Sequence, residues 1–198
     1  MNALSLYEGQ FLIWIQNNLR TPALNPIIGF ITHLGNAGIL WIALTIAMIC
    51  YRKTRRVGIT CALSIIISFT VANLILKPLV ARIRPYDLIQ ELGITIEVQS
   101  DKSFPSGHAT NALACAWVMF RCMKRRYGLP ALILALVICL TRLYVGVHYP
   151  TDVLAGIAIG IASAELSIRL VKVLRRRFPR FREFIRPALP GKGKGSRT

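Results

Sequence analysis

Apolar residues in this chain come in long runs separated by short polar punctuation, not in the alternating or one-sided stripes of soluble elements. A helix needs about 20 mostly apolar residues to cross a hydrocarbon core about 30 Å thick. Five stretches read as spans: 30–51, 57–76, 106–123, 128–146 and 151–174. The first contains Gly35-Asn36-Ala37-Gly38, which predicts an irregularity inside it. The third is the weakest. The fifth sets Gly156 and Gly160 four apart, a spacing that lets helices approach closely. Residues 4–19 read differently, because Leu4, Leu12, Ile13, Trp14, Ile15 and Leu19 alternate with Glu8, Gln10, Gln16, Asn17 and Asn18. That mixture predicts an amphipathic helix lying in the membrane interface. Thr21-Pro22 and Asn25-Pro26 then break the chain.

The expected fold class is therefore all-α. It is a polytopic transmembrane helix bundle of about five spans plus the N-terminal interfacial helix, or six spans if that helix crosses. Three segments follow: an interfacial segment 1–24, a transmembrane core 25–176 and a basic tail 177–198.

Composition agrees with a membrane protein: 54% of residues are hydrophobic and only 17% are charged. The net charge of +17 raises the question of nucleic acid, but its distribution answers it. Nineteen of the 25 basic residues sit at 52–56, at 121–126 and from 169 onward, all at ends of apolar runs. This is the positive-inside pattern, and such clusters also attract anionic lipid headgroups. It predicts no nucleic-acid partner and a multi-pass protein of the cell membrane. The 52–56 loop, the 121–126 loop and the C-terminus are then cytoplasmic, and the 82–105 loop and the 146–150 turn are outside. The first apolar patch carries Glu8 and Gln10 and lacks a basic start, so no signal peptide is expected. Cys50, Cys61, Cys115, Cys122 and Cys139 lie in apolar runs without metal-ligand spacing and read as small buried hydrophobes.

Three polar clusters interrupt this oily background: Lys77 with Arg84-Pro85, then Pro105-Ser106-Gly107-His108, then Arg142 with His148 and Asp152. Charged groups are costly at membrane depth and point to function there. By the topology above, all three fall at the outer ends of spans, so they converge on one face. Lys77 and Arg84 are seven apart, about two helical turns, and both can face one phosphate. Pro105-Ser106-Gly107 reads as a helix start whose backbone N–H groups suit an anion. His108 follows as a candidate proton donor. Asp152 falls in the first turn of a helix starting near Pro150, where it either caps the helix or accepts the His148 Nδ1–H. Arg142, inside the end of a span, needs an anionic partner, which Asp152 or a substrate phosphate supplies. Arg82 reads as a cation snorkelling to headgroups. His33 reads as an interfacial polar residue, and Glu165 with Arg169 as an intrahelical pair. Residues 86–104 are expected to cap the site, with a short helix at 87–92, and Tyr144 and Tyr149 to border a headgroup pocket.

The clusters Lys77-x6-Arg84-Pro85, Pro105-Ser106-Gly107-His108 and Thr141-Arg142-x5-His148-x3-Asp152 resemble the three motifs of the type 2 phosphatidic acid phosphatase, or lipid phosphate phosphatase, superfamily. Thr141 departs from the usual serine but keeps the hydroxyl. The resemblance implies a small bacterial membrane phosphatase working without metal or cofactor on a lipid phosphate. It implies that His148 attacks phosphorus to form a phosphohistidine, that Asp152 orients it, and that His108 protonates the leaving oxygen. It implies that Lys77, Arg84, Ser106, Gly107 and Arg142 hold the phosphate. By family analogy the expected substrate is a polyprenyl diphosphate, undecaprenyl diphosphate in particular, with phosphatidylglycerophosphate or phosphatidate as the alternative. A non-catalytic lipid-binding or transport protein would account for the spans but not for two histidines at these spacings.

Overall fold

The computed structural model describes residues 3–185, so residues 186–198 of the basic tail lie outside the described residues. Among the described residues ten α-helices follow in chain order: α1 (Ala3–Leu19), α2 (Leu24–Leu34), α3 (Ile39–Cys50), α4 (Arg55–Phe69), α5 (Lys77–Val80), α6 (Pro85–Leu88), α7 (Gly107–Cys122), α8 (Arg125–Tyr144), α9 (Pro150–Arg177) and α10 (Pro179–Phe184). Among the described residues there is no strand, as the all-α expectation required.

The outer surface is oily. Ile42 and Ile46 on α3, Ile66 and Phe69 on α4, and Leu154, Leu166 and Leu170 on α9 are all exposed large hydrophobes. A soluble protein does not leave so much apolar surface bare, whereas a bilayer requires it. Three described helical runs are long and apolar enough to cross a membrane: Arg55–Leu88, Arg125–Tyr144 and Pro150–Arg177. A fourth crossing arises if α2 and α3, bent by 46° at their junction, are counted as one. The bend falls on the expected irregularity. Asn36–Gly38 forms a 3-10 turn, and Gly38 takes a φ of 69°, a left-handed conformation that glycine adopts without strain.

The third expected span is α7, and its weakness has a physical reason. At 16 residues it is short, and nine of them are buried, mostly Ala, Thr and Cys with Leu113, Val118 and Met119. It runs through the middle of the bundle against α4, α8 and α9, so it meets protein rather than lipid. Small residues suit that position. A Cβ on Gly156 would come within 2.7 Å of the Ser106 carbonyl oxygen, and one on Gly160 within 2.6 Å of that of Thr110. The Gly156/Gly160 face is thus the seat of α7 on α9. Trp41, Cys61, Ala135, Ile138 and Ala164 complete this core.

A second cluster of Leu12, Ile15, Leu92, Tyr144, Val145, Val147 and Tyr149 joins α1 to the α8–α9 turn. Here α1 also grips the 82–105 loop: Gln16 Nε2 donates to the Glu91 carbonyl and Arg20 to that of Gly93. Several sequence expectations need correction. Glu165 pairs with Arg121 (3.2 Å) and accepts from Trp117 Nε1 (2.8 Å), not from Arg169, because α7 offers partners across the interface. The short helix in the loop is Pro85–Leu88 rather than 87–92, since Pro85 starts a helix readily. Cys50 and Cys122 lie exposed at helix ends, unlike buried Cys61, Cys115 and Cys139. His33 is exposed, with Nδ1 2.5 Å from the Gly29 carbonyl oxygen one turn back.

Candidate active site

Helix α4 does not end cleanly. It passes into a π-helical segment, Thr70–Leu76, before α5. Such segments shift the register of the following side chains and recur at functional sites. Here Thr70, Asn73 and Lys77 all come to line a cavity of about 640 Å³. Gly107 and His108, at the start of α7, face the same space, as do Arg142 from α8, His148 from the α8–α9 turn and Arg84 from the loop after α5. Six of the eight predicted site residues therefore share one cavity. Ile42 on α3 and Ile65, Ile66 and Phe69 on α4 give it an apolar patch, and Gln99, Ser100, Asp101 and Asn111 add polar lining.

The other two predicted residues sit just behind the surface. Asp152 is fully buried in the first turn of α9. Its Oδ2 accepts the Tyr149 N–H (2.9 Å) and the Ser103 hydroxyl (2.5 Å), and lies 3.7 Å from His148 Nδ1. Of the two roles posed as alternatives by the sequence, the carboxylate makes the capping contact, and it stands beyond hydrogen-bond distance of the His148 ring. Ser103 Oγ is also 3.5 Å from His148 Nδ1, so it wedges into the pair. Ser106 caps α7, but its backbone N–H donates to the Asp152 carbonyl (3.0 Å) and is not offered to an anion. Its buried Oγ has no protein partner.

On the cavity side, His148 Nε2 lies 3.5 Å from Arg84 Nη1, which also donates to the Val147 carbonyl (2.8 Å). Nε2 is thus the ring nitrogen that faces the open space, and Nδ1 faces the carboxylate. Burial holds His148 well below the ordinary imidazole range, at about 4, with Asp152 opposing that shift and Arg84 and Arg142 adding to it. A ring so shifted is neutral near pH 7.

The cations are spoken for in different ways. Lys77 Nζ and Arg84 Nη2 both hold Asp101, one on each carboxylate oxygen. The two cations outweigh the desolvation of Asp101 and keep its carboxyl at about 2. A carboxylate gripped by two cations at a cavity wall stands in for the anion they could take instead. The Lys77 ammonium also lies 3.6 Å from where a Cβ on Gly107 would be, so its charge reaches the start of α7. Arg142 is fully buried and donates through Nη1 to Thr32 Oγ1 (2.6 Å), while its Nε is unpartnered. The anticipated pairing of Arg142 with Asp152 does not occur, because Arg82 holds that carboxylate.

Arg82 is the clearest correction. Instead of snorkelling, its Nη1 donates to Asp152 Oδ1 and its Nη2 to Glu8 Oε2, both at 2.6 Å. Its guanidinium rests 3.9 Å from the Tyr149 ring centroid. Tyr149 is buried there, and Tyr144 donates to Asn25 Oδ1 (2.9 Å), so neither tyrosine lines the cavity. Thr141 turns its hydroxyl back onto the Ile138 carbonyl (2.7 Å). His108 Nε2 meets Asn36 Oδ1 (3.0 Å) at the break between α2 and α3. Gly35 makes room for it, since a Cβ there would stand 2.8 Å from His108 Cδ2. Sequence reasoning missed Ser103, Asp101, Asn36 and Glu8. Only Glu8 left a signal, as the one acidic residue on an otherwise apolar and amide-bearing helix.

A histidine backed by a carboxylate, a second histidine and three cations around one space open to an oily wall is what a lipid phosphomonoester or diphosphate would require. Known proteins share this frame. The sequence model of the PAP2 superfamily matches residues 58–176. An undecaprenyl-diphosphatase of Sulfolobus acidocaldarius is 29% identical over 154 residues, covering 78% of this chain and 74% of its own. The undecaprenyl-diphosphatase BcrC of Bacillus subtilis is 31% identical over 157 residues, covering 77% of each. The crystal structure of a transmembrane PAP2-type phosphatidylglycerolphosphate phosphatase from Bacillus subtilis superposes with a TM-score of 0.72 at 28% identity, covering 90% of both chains. This chain belongs to the PAP2 superfamily and is a membrane lipid phosphatase.

Proposed function

We propose that the protein hydrolyses a polyprenyl diphosphate, undecaprenyl diphosphate above all, at the outer leaflet through a phosphohistidine. His148 Nε2 forms the bond to the terminal phosphorus while the bridging P–O bond breaks. His108 gives its proton to the departing lipid-phosphate oxygen. Water then attacks phosphorus with His108 as base, the P–N bond breaks, and phosphate leaves. Asp152 orients His148 and balances the charge that its ring acquires. Lys77, Arg84 and Arg142 hold the phosphoryl oxygens, with Ser106 Oγ and the α7 N-terminus at Gly107 completing the cradle. The incoming phosphate displaces the Asp101 carboxylate from Lys77 and Arg84.

One observation carries this reading: His148 lines a cavity that also holds Lys77, Arg84, Arg142 and His108 and that has an apolar patch of Ile42, Ile65, Ile66 and Phe69. The apolar wall of Ile42, Ile65, Ile66 and Phe69 suits an isoprenoid chain entering from the bilayer. In this reading the site end of the bundle, with α1 at its interface, is extracytoplasmic. The 25–176 core carries the chemistry, and the basic C-terminal tail is cytoplasmic against anionic headgroups. Phosphatidylglycerophosphate is the second reading, favoured by the substrate named for the Bacillus subtilis structure.

Phosphate release by the purified protein from polyprenyl diphosphate, phosphatidylglycerophosphate and phosphatidate tests both. The diphosphate is expected to have the highest kcat/KM, with activity lost in His148→Ala and unchanged by EDTA. A preference for glycerophospholipid promotes the second reading, and wild-type rates in both His148→Ala and His108→Ala sink the mechanism.

A further inference from the structure

Glu8 is a buried carboxylate, 6% exposed, on a helix that contributes nothing to the cavity wall. Burying a charge is costly unless its partners are well placed, so its contacts are informative. Both of its oxygens are engaged, one by Arg82 and one by the start of α9. Oε2 accepts from Arg82 Nη2 (2.6 Å), and Oε1 accepts the backbone N–H of Thr151 (2.7 Å), the residue before Asp152. The same guanidinium reaches Asp152 Oδ1 (2.6 Å) and Thr151 Oγ1 (2.7 Å) through Nη1. Ser5 Oγ stands 3.3 Å from Nη2. The planar fork of an arginine holds two carboxylates on separate nitrogens in a fixed geometry, which the single rotating ammonium of a lysine does not.

We propose that Glu8, acting through Arg82, is a positioning residue for Asp152, which makes the N-terminal helix a working part of the catalytic apparatus. The proposal rests on the assignment of His148 and Asp152 as nucleophile and orienting carboxylate. Two arguments support it. The first is geometric. Asp152 Oδ2 already serves the Tyr149 N–H and Ser103, and lies 3.7 Å from His148 Nδ1, so a small rotation of the carboxylate decides whether the pair closes. Arg82 sets that rotation by holding Oδ1, and Glu8 sets Arg82. The second is electrostatic. Arg82 alone would neutralise Asp152 and remove the counter-charge that His148 needs as its ring becomes cationic. Asp152 and Glu8 together carry two negative charges against the one positive charge of Arg82. One net negative charge therefore remains in this trio on the Nδ1 side of His148, facing Arg84 on its Nε2 side, in a setting where solvent screens it weakly.

The test is a double-mutant cycle on the full-length protein, with farnesyl diphosphate as a short polyprenyl probe. Glu8→Gln keeps the shape of the side chain and an acceptor for the Thr151 N–H but removes the charge. It is expected to lower kcat about tenfold with KM within about twofold, and to lower kcat by less than about twofold when Asp152 is already Asn. Equal losses in the two backgrounds would mean that Glu8 merely supports folding, because a reduced active fraction scales both alike. An unchanged kcat in Glu8→Gln alone also overturns the proposal. The underlying assignment fails separately: if Asp152→Asn by itself leaves kcat intact, the nucleophile pair is wrong and the relay falls with it.

Discussion

The two histidines occupy one cavity in unlike company. His148 is backed by a charged wall drawn from four parts of the chain: Asp152 at the start of α9, Ser103 in the long loop, Arg82 and Arg84 after α5, and Glu8 on α1. His108 is backed by a neutral wall, with the Asn36 amide at 3.0 Å and the bare backbone of Gly35. The difference follows from what each ring is proposed to do. A nitrogen that becomes a cationic phosphoramidate needs a fixed counter-charge. A group that first gives and then takes a proton works best near neutrality, without an anion that would hold the proton. The charged wall fixes, and the neutral wall leaves free.

The largest expected effect separates the walls by leaving group. Replacing His148 by Ala is expected to cost roughly 10³–10⁴ in kcat with any substrate, since no other nucleophile is in place. Replacing His108 by Ala should cost about 10²–10⁴ with a lipid phosphate. With p-nitrophenyl phosphate, whose leaving oxygen needs little proton, the His108→Ala loss should shrink to roughly tenfold or less while the His148→Ala loss stays. Parallel rates on the two substrates check this, and equal sensitivity of both variants to leaving group would erase the distinction.

The two walls were not equally legible. His148, Asp152, Arg84 and Lys77 declared themselves because polar groups inside oily sequence are conspicuous, and the topology read from hydropathy and basic loops placed them at one end of the bundle. The partners of Asp152 did not. Arg82 read as a snorkelling cation because its two carboxylate partners come from α1 and α9, far from it along the chain. Asn36 and Gly35 were read only as a break in a span, although the break is what delivers an amide to His108. Likewise α7 gave the weakest hydropathy because it is the most enclosed helix, and hydropathy measures lipid contact rather than burial. Sequence thus showed most of the elements and the candidate groups that share the cavity, while the long-range hydrogen bonds around them needed the fold.

Arg82→Lys comes next in size. A point charge cannot bridge Glu8 and Asp152 as the fork does, so kcat is expected to fall about 10–30-fold at unchanged net charge. On the neutral wall, Gly35→Ala pushes a methyl toward His108 Cδ2 and Ile138, and about 3–10-fold is expected, because a ring on one hydrogen bond can shift. Steady-state kinetics of the pair rank the walls, and a larger loss at Gly35 would reverse the comparison. Asp101→Asn should be milder still and of opposite sign. Asp101 is half-exposed, so freeing Lys77 and Arg84 from it should lower KM roughly threefold with kcat unchanged, and tighten inhibition by inorganic phosphate alongside. A raised KM would show that Asp101 helps to hold the substrate.

The smallest effect is a slope that should be missing. Nε2 attacks only when His148 is unprotonated. With an ordinary imidazole near 6.5, the reactive fraction would rise roughly eightfold between pH 5.5 and 7. Burial, reinforced by Arg84 and Arg142, lowers His148 to about 4 despite Asp152, so the ring stays neutral across that whole interval. After correction for the ionisation of the substrate, the acid side of the kcat/KM profile is expected to be flat from pH 7 to 5.5 and to fall only as pH approaches 4. Because Asp152→Asn removes the group that favours the imidazolium, it should push that fall to still lower pH. Gly35→Ala, acting on the other wall, should leave it in place. An acid limb near 6.5 in the wild type would mean that water reaches His148, and the contrast between a sealed, charged wall and a neutral one would fail at its best-defended residue.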